Sequence, residues 1–532
     1  MSEAPVLSIR DLSLRLPAWA DRGLAIEDLS LDLKAGEILC LVGESGSGKS
    51  ITARAVMGLL PREIAVQSGA IRYRETDLLT LPKSARRQLA GSRISMIFQE
   101  PLAALNPVFT AGSQIDEVLR IHGRANPADR RQRVRTLFEE VGLDDWQRFY
   151  RAYPHQLSGG QCQRVMIAMA MALDPDILIA DEPTTALDVT TQARILDLIR
   201  TLRRQHEASI LFITHDFGVV ADIADRVAVM QHGRLVEQGK VRDVLDRPQH
   251  PYTQSLIEAV PKLVPKPPRA IEGAPVLEGR DITKRFRGGS LFGSHETKAL
   301  DGVSLSVRPQ ETIGLVGESG SGKSTLAQCL MRLEPVTSGE VVLAGETITR
   351  LGDRRLRPYR RRFQVIFQDP YTALDPRQAV GEAIAEGPII HGVDPAEARR
   401  QAASLLERVG LDPTAARRFP HQFSGGQRQR VCIARALALK PDILIADESV
   451  SALDVSVQRQ ILDLLRDIQA TEGFALLFIT HDLRIAAQLC DRIVVMRAGR
   501  IVEQGATQSV FEDPQQPYTK DLLAAIPGLL AA

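Results

Sequence analysis

The chain has 532 residues, too many for one hydrophobic core, and this length predicts about two to four domains. Lys and Arg total 66 against 65 Asp and Glu, so the formal charge is +1. This balance argues against the large basic surface that nucleic-acid binding usually needs. With 44% hydrophobic and 25% charged residues, the composition is that of an ordinary globular protein.

The cysteines and the chain start give the expected compartment. The five cysteines never come within metal-clamp spacing, and most lie in apolar runs, so we expect small buried thiols in a reducing cytosol. They are Cys40, Cys162, Cys329, Cys432 and Cys490. The opening MSEAPVLSIRD lacks a signal-peptide layout, and no stretch approaches the roughly 18 apolar residues of a spanning helix. Any work at a membrane would therefore depend on a partner.

The chain contains one domain twice. GEILCLVGESGSGKS ending at Ser50 recurs as ETIGLVGESGSGKS ending at Ser324, and MIFQEPLAALNP, DILIADE, LFITHD and PYT recur in the same order. The stretch PKLVPKPPRAIEGAP between the copies contains five prolines, which are typical of a semi-stiff extended tether. We therefore predict a first domain at 1–262, a Pro-rich linker at 263–275 and a second domain at 276–532.

Each copy alternates strands and helices. EILCLVG is a short apolar run that meets a glycine loop, and a helix is expected to begin near Lys49; DILIADE and SILFITHD are further buried strands. Ligands of open parallel sheets bind at the carboxyl ends of such strands. Apolar residues then fall at helical spacing between Gln99 and Ser158, at Val134, Leu137, Phe138 and Val141, and in the second copy at Ala402, Leu405, Leu406 and Val409. Each α/β core is therefore predicted to carry a helical insert.

Both copies contain a phosphate-binding loop, GESGSGKS, between a strand and a helix. Its glycines let successive backbone N–H groups face a phosphate, its lysine adds a charge for the β- and γ-phosphates, and its serine adds a hydroxyl for Mg²⁺. We expect nucleotide contacts from Gly43, Ser45, Gly46, Ser47, Gly48, Lys49, Ser50 and Ile51, and from Gly317, Ser319, Gly320, Ser321, Gly322, Lys323, Ser324 and Thr325.

Acidic and histidine side chains end the next two strands. Asp181 and Asp447 end ILIAD and are predicted to hold the metal, while Glu182 and Glu448 follow directly and are predicted to polarise the attacking water. His215 and His481 close a third strand in THD. Because they lie on the sheet edge expected to face the γ-phosphate, we predict a catalytic role for both.

This combination resembles the ABC-type ATPases over essentially the whole chain. LSGGQ and FSGGQ resemble the signature motif of that family, in which the loop closing a site comes from the opposite domain of a head-to-tail pair. A serine at a helix N-terminus beside glycines binds anions without a lysine. The resemblance implies that Ser424, Gly425 and Gly426 close over nucleotide on Lys49, and that Ser158, Gly159 and Gly160 close over nucleotide on Lys323.

The resemblance carries further residues. Gln99 and Gln368 are similar to the Q-loop glutamines that contact metal or water, and Asp188 and Asp454, in ALD, are similar to the D-loop. Because both glutamates and both histidines are present, both sites are expected to be competent. Phe286 matches the aromatic residue that stacks on adenine; the first copy offers Leu16 there, with Trp19 nearby, and the choice stays open.

Two departures from the family pattern distinguish the copies. Ser449 replaces the proline usually found after the glutamate, which is Pro183 in the first copy, so this loop is expected to be looser. Ile51 stands where Thr325 stands in the second copy. We expect the first copy to lack one hydroxyl contact to the α-phosphate for this reason.

The LNP, LDP and PYT motifs resemble the peptide/nickel importer group, including fused ATPases for oligopeptides or microcin C. This resemblance implies ATP and Mg²⁺ as cofactors, two transmembrane permease subunits and an extracytoplasmic substrate-binding protein as partners, and a peripheral position on the cytoplasmic face of the bacterial inner membrane. The alternative is a soluble twin-domain ABC ATPase acting on ribosomes or nucleic acid. Only the basic run RRLRPYRRR at 354–362 supports this alternative. The cargo is not encoded in these motifs.

Overall fold

The computed structural model describes residues 4–18, 20, 22–185, 187–290, 293–451 and 453–528. The chain forms two compact units. The first comprises Met1–Leu187, Thr191–Val260 and Ile526–Ala532, and the second comprises Asp188–Thr190 and Pro261–Ala525. The domain and linker bounds derived from the sequence stay predictions.

The first unit contains two sheets and a helical insert. Its strands are β1 Leu7–Arg15, β2 Leu24–Leu33, β3 Ile38–Val42, β4 Ala65–Tyr73, β5 Thr76–Asp77, β6 Ile94–Ile97, β7 Ile177–Asp181, β8 Ser209–Thr214, β9 Arg226–Gln231 and β10 Arg234–Lys240. Its helices are α1 Lys49–Met57, α2 Lys83–Leu89, α3 Pro101–Ala104, α4 Ala111–Ile121, α5 Pro127–Glu140, α6 Trp146–Arg151, α7 Gly159–Ala170, α8 Val189–His206, α9 Phe217–Ile223, α10 Val241–Asp246 and α11 Pro251–Ala259, with a 3₁₀ turn at Pro154–Gln156.

The central sheet has the order β10-β9-β3-β8-β7-β6, and only the β9–β10 pair is antiparallel. Strands β3, β7 and β8 are buried along their whole length, as expected for parallel strands covered on both faces. Their carboxyl ends share one edge, which places the P-loop beside the acidic residues. The predicted α/β core is confirmed, and α1 begins at Lys49 as expected.

A second, antiparallel sheet lies beside this core in the order β2-β1-β4-β5. In β1 the side chains are buried at residues 7–9 and 12–14 and exposed at Arg10, Asp11 and Arg15. The interruption coincides with a register shift between Ile9 and Leu12, where Asp11 has φ of 48°. This bulge breaks the simple alternation that sequence patterning relies on.

The helical insert comprises α3 to α6 and leads into α7. In α5, the predicted apolar positions Val134, Leu137 and Phe138 are each 0% exposed, and Val141 follows at the helix end with 1% exposed. The insert packs into the same hydrophobic core as the inner face of the sheet. The spacing prediction is therefore confirmed, and the insert positions the SGGQ motif at the start of α7.

The second unit repeats this architecture. Its sheets have the orders β12-β11-β14-β15 and β16-β17-β18-β13-β19-β20. The strands are β11 Leu277–Ser290, β12 Gly293–Val307, β13 Thr312–Val316, β14 Ser338–Leu343, β15 Glu346–Thr347, β16 Phe363–Ile366, β17 Ile443–Asp447, β18 Ala475–Ile479, β19 Arg492–Arg497 and β20 Arg500–Ala506. The helices are α12 Lys323–Leu330, α13 Asp353–Arg360, α14 Pro370–Ala373, α15 Val380–Ile390, α16 Pro395–Arg408, α17 Gly425–Leu437, α18 Val455–Glu472, α19 Leu483–Leu489, α20 Thr507–Glu512 and α21 Pro517–Ala524, with 3₁₀ turns at Pro413–Arg417 and Pro420–Gln422.

The Pro-rich stretch packs on the second unit through a buried carboxylate. Asp491, whose side chain is 1% exposed, accepts from Lys266 and from Arg269, each at 2.8 Å. At the equivalent place in the first unit, Asp225 pairs with Arg203 at 2.9 Å and stays 47% exposed. The proline-rich segment therefore acts partly as a cover for Asp491.

All five cysteines are buried, as predicted, and burial raises the pKa of the Cys329 and Cys432 thiols to about 11. A thiol with so high a pKa is a poor nucleophile. None of the helices in the described ranges combines the length and apolar character needed to span a bilayer.

Candidate active site

Each P-loop has a backbone that only glycine allows at its first position. Gly43 has φ of 149°, and a Cβ there would lie 2.2 Å from the carbonyl oxygen of Met230 in β9. Gly48 has φ of 109° and caps α1. The loop therefore turns directly from β3 into the helix N-terminus, as the phosphate-binding prediction requires.

The P-loop lysines are buried and bound to the loop itself. Lys49 and Lys323 are 4% and 5% exposed. Lys49 Nζ donates to the carbonyl of Gly43 at 2.6 Å, and Lys323 Nζ donates to that of Gly317 at 2.7 Å. Burial lowers the pKa of Lys323. The ammonium groups are thus held at the centre of the loop, where phosphate oxygens would bind.

The predicted metal ligands meet in both units. Ser50 Oγ donates to Asp181 Oδ1 at 2.9 Å, and Ser324 Oγ donates to Asp447 Oδ1 at 3.1 Å. Burial raises the pKa of both aspartates, although these hydrogen bonds oppose it. A hydroxyl beside a carboxylate is a hard-oxygen donor set, which fits Mg²⁺.

Three side chains converge on the glutamate of the first unit. Glu182 Oε2 accepts from Gln99 Nε2 at 3.1 Å and from Thr185 Oγ1 at 2.9 Å, and His215 Nδ1 lies 3.4 Å from it. Burial by itself would raise the pKa of Glu182. The hydrogen bond and positive charge of His215, with help from Thr185, outweigh burial and leave that pKa below its ordinary value.

The second unit repeats this cluster. Glu448 Oε2 accepts from Gln368 Nε2 at 2.9 Å, and His481 Nδ1 lies 3.6 Å away. Burial opposes ionisation of both partners, yet their mutual attraction lowers the pKa of Glu448 and raises the pKa of His481. Both Q-loop glutamines therefore bind the glutamate. Their predicted contact with the metal stays a prediction.

The two glutamates occupy a backbone conformation that non-glycine residues rarely adopt. Glu182 has φ of 48° and Glu448 has φ of 44°. Their N–H groups donate to the carbonyls of Ile213 and Ile479 in the neighbouring strand, each at 2.9 Å. A left-handed backbone conformation costs free energy in a non-glycine residue, so it persists only where the surrounding structure holds it. Such residues are concentrated at functional sites. Here the turn directs each carboxylate toward the histidine.

The signature serines begin helices and form capping boxes. Ser158 Oγ accepts from the N–H of Gln161, and Gln161 Oε1 accepts from the N–H of Ser158 at 3.0 Å. Ser424 and Gln427 form the same pair. The glutamine of SGGQ, to which the sequence alone assigned no role, therefore fixes the start of the helix.

The two glycines of each signature motif lie in different surroundings. A Cβ on Gly159 would meet nothing within 4 Å, whereas one on Gly160 would lie 2.7 Å from Thr191 in α8. A Cβ on Gly426 would lie 2.4 Å from Val457 in α18. Gly159 leaves open space at the N-terminus of α7, and the second glycine of each motif allows two helices to pack closely.

The candidate adenine contacts differ between the units. Phe286 is 40% exposed, and Lys284 Nζ lies 4.7 Å from its ring centroid. Leu16 instead packs partly buried against the first unit's core, as does Ile51. Trp19 lies outside the described residues. Only the second unit thus presents an aromatic face among these described positions.

The Ser449 loop carries a buried hydroxyl. Ser449 is 3% exposed, and within the described part of the chain its Oγ has no hydrogen-bond partner. The equivalent Pro183 is also buried, after a glutamate of similar φ. A serine and a proline therefore occupy equivalent buried positions in the two units.

The sequence did not predict one contact of each P-loop. The N–H of Glu44 donates to the hydroxyl of Tyr252 at 3.1 Å, and the N–H of Glu318 donates to that of Tyr518 at 3.1 Å. Both tyrosines belong to the PYT repeats, which begin α11 and α21. The recurrence of PYT in both copies marked these residues in the sequence, but nothing in the motif indicated a contact with the P-loop.

Two protein-family models match this chain, each of them in both copies. The ABC transporter family model matches residues 26–185 and 300–451. The model of the oligopeptide/dipeptide transporter C-terminal region matches residues 236–288 and 502–531, which include both PYT helices.

Similar proteins cover almost the whole chain. A peptidoglycan transport ATP-binding protein, YejF, of Agrobacterium fabrum is 49% identical over 98% of this chain and 96% of its own length. A glutathione import ATP-binding protein, GsiA, of Salmonella choleraesuis is 47% identical over 98% of this chain and 89% of its own length.

A solved structure covers a smaller part of the chain. This ATP-binding cassette dimer bound to ADP and Pi is 30% identical over 43% of this chain and 98% of that chain, with a TM-score of 0.40.

Proposed function

We propose that this chain, which belongs to the ABC transporter family of ATPases, powers a bacterial importer of peptide-like cargo. It does so through two ATP sites. The chain is an ATPase with two ABC domains. The observation that carries the proposal is the duplicated cluster: each unit holds a buried P-loop lysine, a serine–aspartate pair and a glutamate bound by glutamine and histidine.

The residues divide the chemistry of hydrolysis. Lys49 and Lys323 bind and orient the terminal phosphates. The serine–aspartate pairs would hold Mg²⁺, which would supply positive charge to those phosphates. Glu182 and Glu448 accept a proton from the attacking water. A carboxylate with a lowered pKa is ionised at neutral pH and is therefore ready to accept that proton.

Each site is proposed to be completed by the other unit. Ser424, Gly425 and Gly426 would close over nucleotide on Lys49, and Ser158, Gly159 and Gly160 over nucleotide on Lys323. The open space beside Gly159 and the helix that begins there support an anion contact at this end of α7. ATP then drives closure because it binds the closed state more tightly than the open state.

The double variant E182Q/E448Q tests the assignment of the base. Glutamine keeps the size and hydrogen-bonding capacity of the side chain but cannot accept the proton. ATP binding should persist, while turnover of the full chain falls by about 10²- to 10⁴-fold. The exposed Glu63, changed to glutamine, is the matched control and should leave both unchanged. Unchanged turnover in E182Q/E448Q would refute this assignment.

Exposed apolar side chains next to the Q-loop support permease subunits as partners. In the first unit Leu102, Val108 and Phe109 are 58%, 72% and 52% exposed, and in the second unit Tyr371 is 60% exposed. Three exposed apolar side chains within residues 102–109 support a protein-binding surface in the first unit. Changing Leu102, Val108 and Phe109 to serine should reduce co-purification of permeases from detergent-solubilised membranes without altering the melting temperature. Undiminished co-purification would argue against this surface.

The cargo class follows from the relatives. They are named for peptidoglycan transport and glutathione import, and the tail region matches that of oligopeptide/dipeptide transporters. These names support our proposal that the chain lies at the cytoplasmic face of the bacterial inner membrane, bound to two permeases that receive a peptide-like cargo from an extracytoplasmic binding protein.

The basic run at 354–362 gives little support to the ribosome or nucleic-acid alternative. Several of its arginines already bind within the second unit: Arg357 to the carbonyl of Ile390, Arg360 to Asp353 and Arg362 to Asp442. No nucleic-acid partner is proposed. Recovery of ribosomal RNA, in place of permeases, from the same pull-down would reverse this choice.

A further inference from the structure

We propose that the tyrosines of the two PYT motifs, Tyr252 and Tyr518, are positioning residues for the P-loop lysines. Each hydroxyl holds the first peptide group of its P-loop, and that same peptide group holds the lysine. The inference rests on the proposed ATP sites and assigns to the C-terminal tail of each unit a part in nucleotide binding.

The start of each tail helix is fixed by a glutamate from the preceding strand. In the first unit Glu237 in β10 accepts from the N–H groups of Gln249 at 2.8 Å and His250 at 3.1 Å. In the second unit Glu503 in β20 accepts from the N–H groups of Gln515 at 2.7 Å and Gln516 at 3.2 Å. Both glutamates lie in the repeated tripeptide EQG. The helix therefore begins at a defined place relative to the sheet that carries the P-loop.

The prolines of PYT add to this definition. Pro251 and Pro517 occupy the first helical position, where the missing N–H costs nothing and the fixed φ suits a helix. The tyrosine follows at the next position in both helices. Its ring in the second unit is 6% exposed and packs under the guanidinium of Arg497, 4.7 Å from the centroid. The hydroxyl is thus presented to the P-loop by a rigid support.

The hydroxyl and the lysine bind opposite ends of one peptide group. The carbonyl of Gly43 accepts from Lys49 at 2.6 Å, and the N–H of the next residue, Glu44, donates to Tyr252 at 3.1 Å. Because a peptide group is planar, fixing its N–H also fixes the direction of its carbonyl. Hydrogen bonds arranged in such a chain polarise and strengthen one another.

The second unit has the same chain of contacts. Lys323 donates to the carbonyl of Gly317 at 2.7 Å, and the N–H of Glu318 donates to Tyr518 at 3.1 Å. The glycine at this peptide, Gly317, has φ of 147°, and because it has no Cβ its backbone can adopt more conformations than that of other residues unless a hydrogen bond restrains it. The tyrosine supplies that restraint, so the lysine and the loop N–H groups are already oriented when phosphate arrives.

The test removes only the two hydroxyl oxygens, in the variant Y252F/Y518F of the full chain. Phenylalanine keeps the ring packing, so the tail should remain folded. Losing one hydrogen bond that orders each P-loop should raise the KM for ATP about three- to tenfold, with kcat within about twofold of wild type. Thr519→Val is the matched control. This neighbour of Tyr518 is 3% exposed, and its Oγ1 has no hydrogen-bond partner among the described residues; KM should not change.

Two results would overturn the inference. One is a KM for Y252F/Y518F equal to that of wild type. The other is an equal rise in KM and an equal drop in melting temperature in both Y252F/Y518F and T519V. That result would mean that the tyrosines only contribute to the packing of the tail helices. The proposed ATP sites fail separately, if wild-type chain does not bind ATP at all or binds it equally well after Lys49→Ala/Lys323→Ala.

Discussion

Removing the two histidines should move the acid limb of ATP hydrolysis to higher pH. In each site the histidine lies 3.4–3.6 Å from the glutamate carboxylate and is the main influence that opposes the effect of burial on its pKa. In the variant H215A/H481A burial remains, while the hydrogen bond and the positive charge are lost. The pKa of Glu182 and Glu448 should therefore rise.

The expected size follows from the distances. An opposite charge within about 4–6 Å lowers a carboxyl pKa by roughly 1–3 units. In wild type the pKa values of both glutamates are held below the ordinary range, so both carboxylates are ionised at neutral pH. Without the histidines, protonation should begin about one to three pH units higher. A protonated carboxyl cannot accept the proton of the attacking water, so turnover falls there.

The assay is kcat for ATP between pH 5 and pH 8, with each variant scaled to its own plateau. The plateau of H215A/H481A should be lower than that of wild type, and its scaled kcat should decline within this range at pH values where the scaled kcat of wild type is still at its plateau. His155→Gln, at an exposed histidine stacked on Tyr153, should leave the profile unchanged. If the scaled profiles of H215A/H481A and wild type superimpose, the histidines do not set the ionisation of the glutamates.

Two stability predictions follow from differences between the copies. Ser449→Pro should raise the free energy of unfolding by about 1 kcal/mol, because it restricts the unfolded chain and removes a buried hydroxyl without a partner among the described residues, and a lower denaturation midpoint would contradict this. Arg269→Met removes two hydrogen bonds from the carboxylate of Asp491, which is 1% exposed, and should lower the free energy of unfolding by about 2–3 kcal/mol. Arg203→Met, beside the 47% exposed carboxylate of Asp225, should lower it by under about 1 kcal/mol. Both tryptophans of the chain precede residue 260, so urea unfolding followed by tryptophan fluorescence should report the first unit. Circular dichroism should report both units. Equal shifts of the denaturation midpoint for the two arginine variants would contradict this prediction.

Much of the fold was predictable because its signals are local. Strands such as β3 and β7 are continuous apolar runs, and glycine loops and helical spacing give α1 and α5. The antiparallel sheet was not predicted. Its strand β1 is interrupted by a bulge at Asp11, so neither strict alternation nor a continuous apolar run was present.

The parts of the site that the sequence did not reveal depend on contacts between distant segments. The approach of Gln99 to Glu182 joins two strand ends that are far apart in the chain, and the sequence alone gave each a separate role. The contact of Tyr252 with the P-loop joins residues still farther apart. The capping role of Gln161 is different, because S-x-x-Q is a known helix-start pattern and was present in the sequence.

ATP binding in a non-hydrolysing chain tests most directly whether each site uses loops of both units. In the glutamate-to-glutamine background, Lys49→Ala disables the first P-loop, so the remaining high-affinity ATP is bound at Lys323. Adding Ser158→Ala should then weaken this ATP by about 10- to 100-fold, the effect of losing one hydrogen bond to a charged group, whereas adding Ser424→Ala should not. The opposite result, with Ser424→Ala weakening binding and Ser158→Ala leaving it intact, would contradict completion of each site by the other unit.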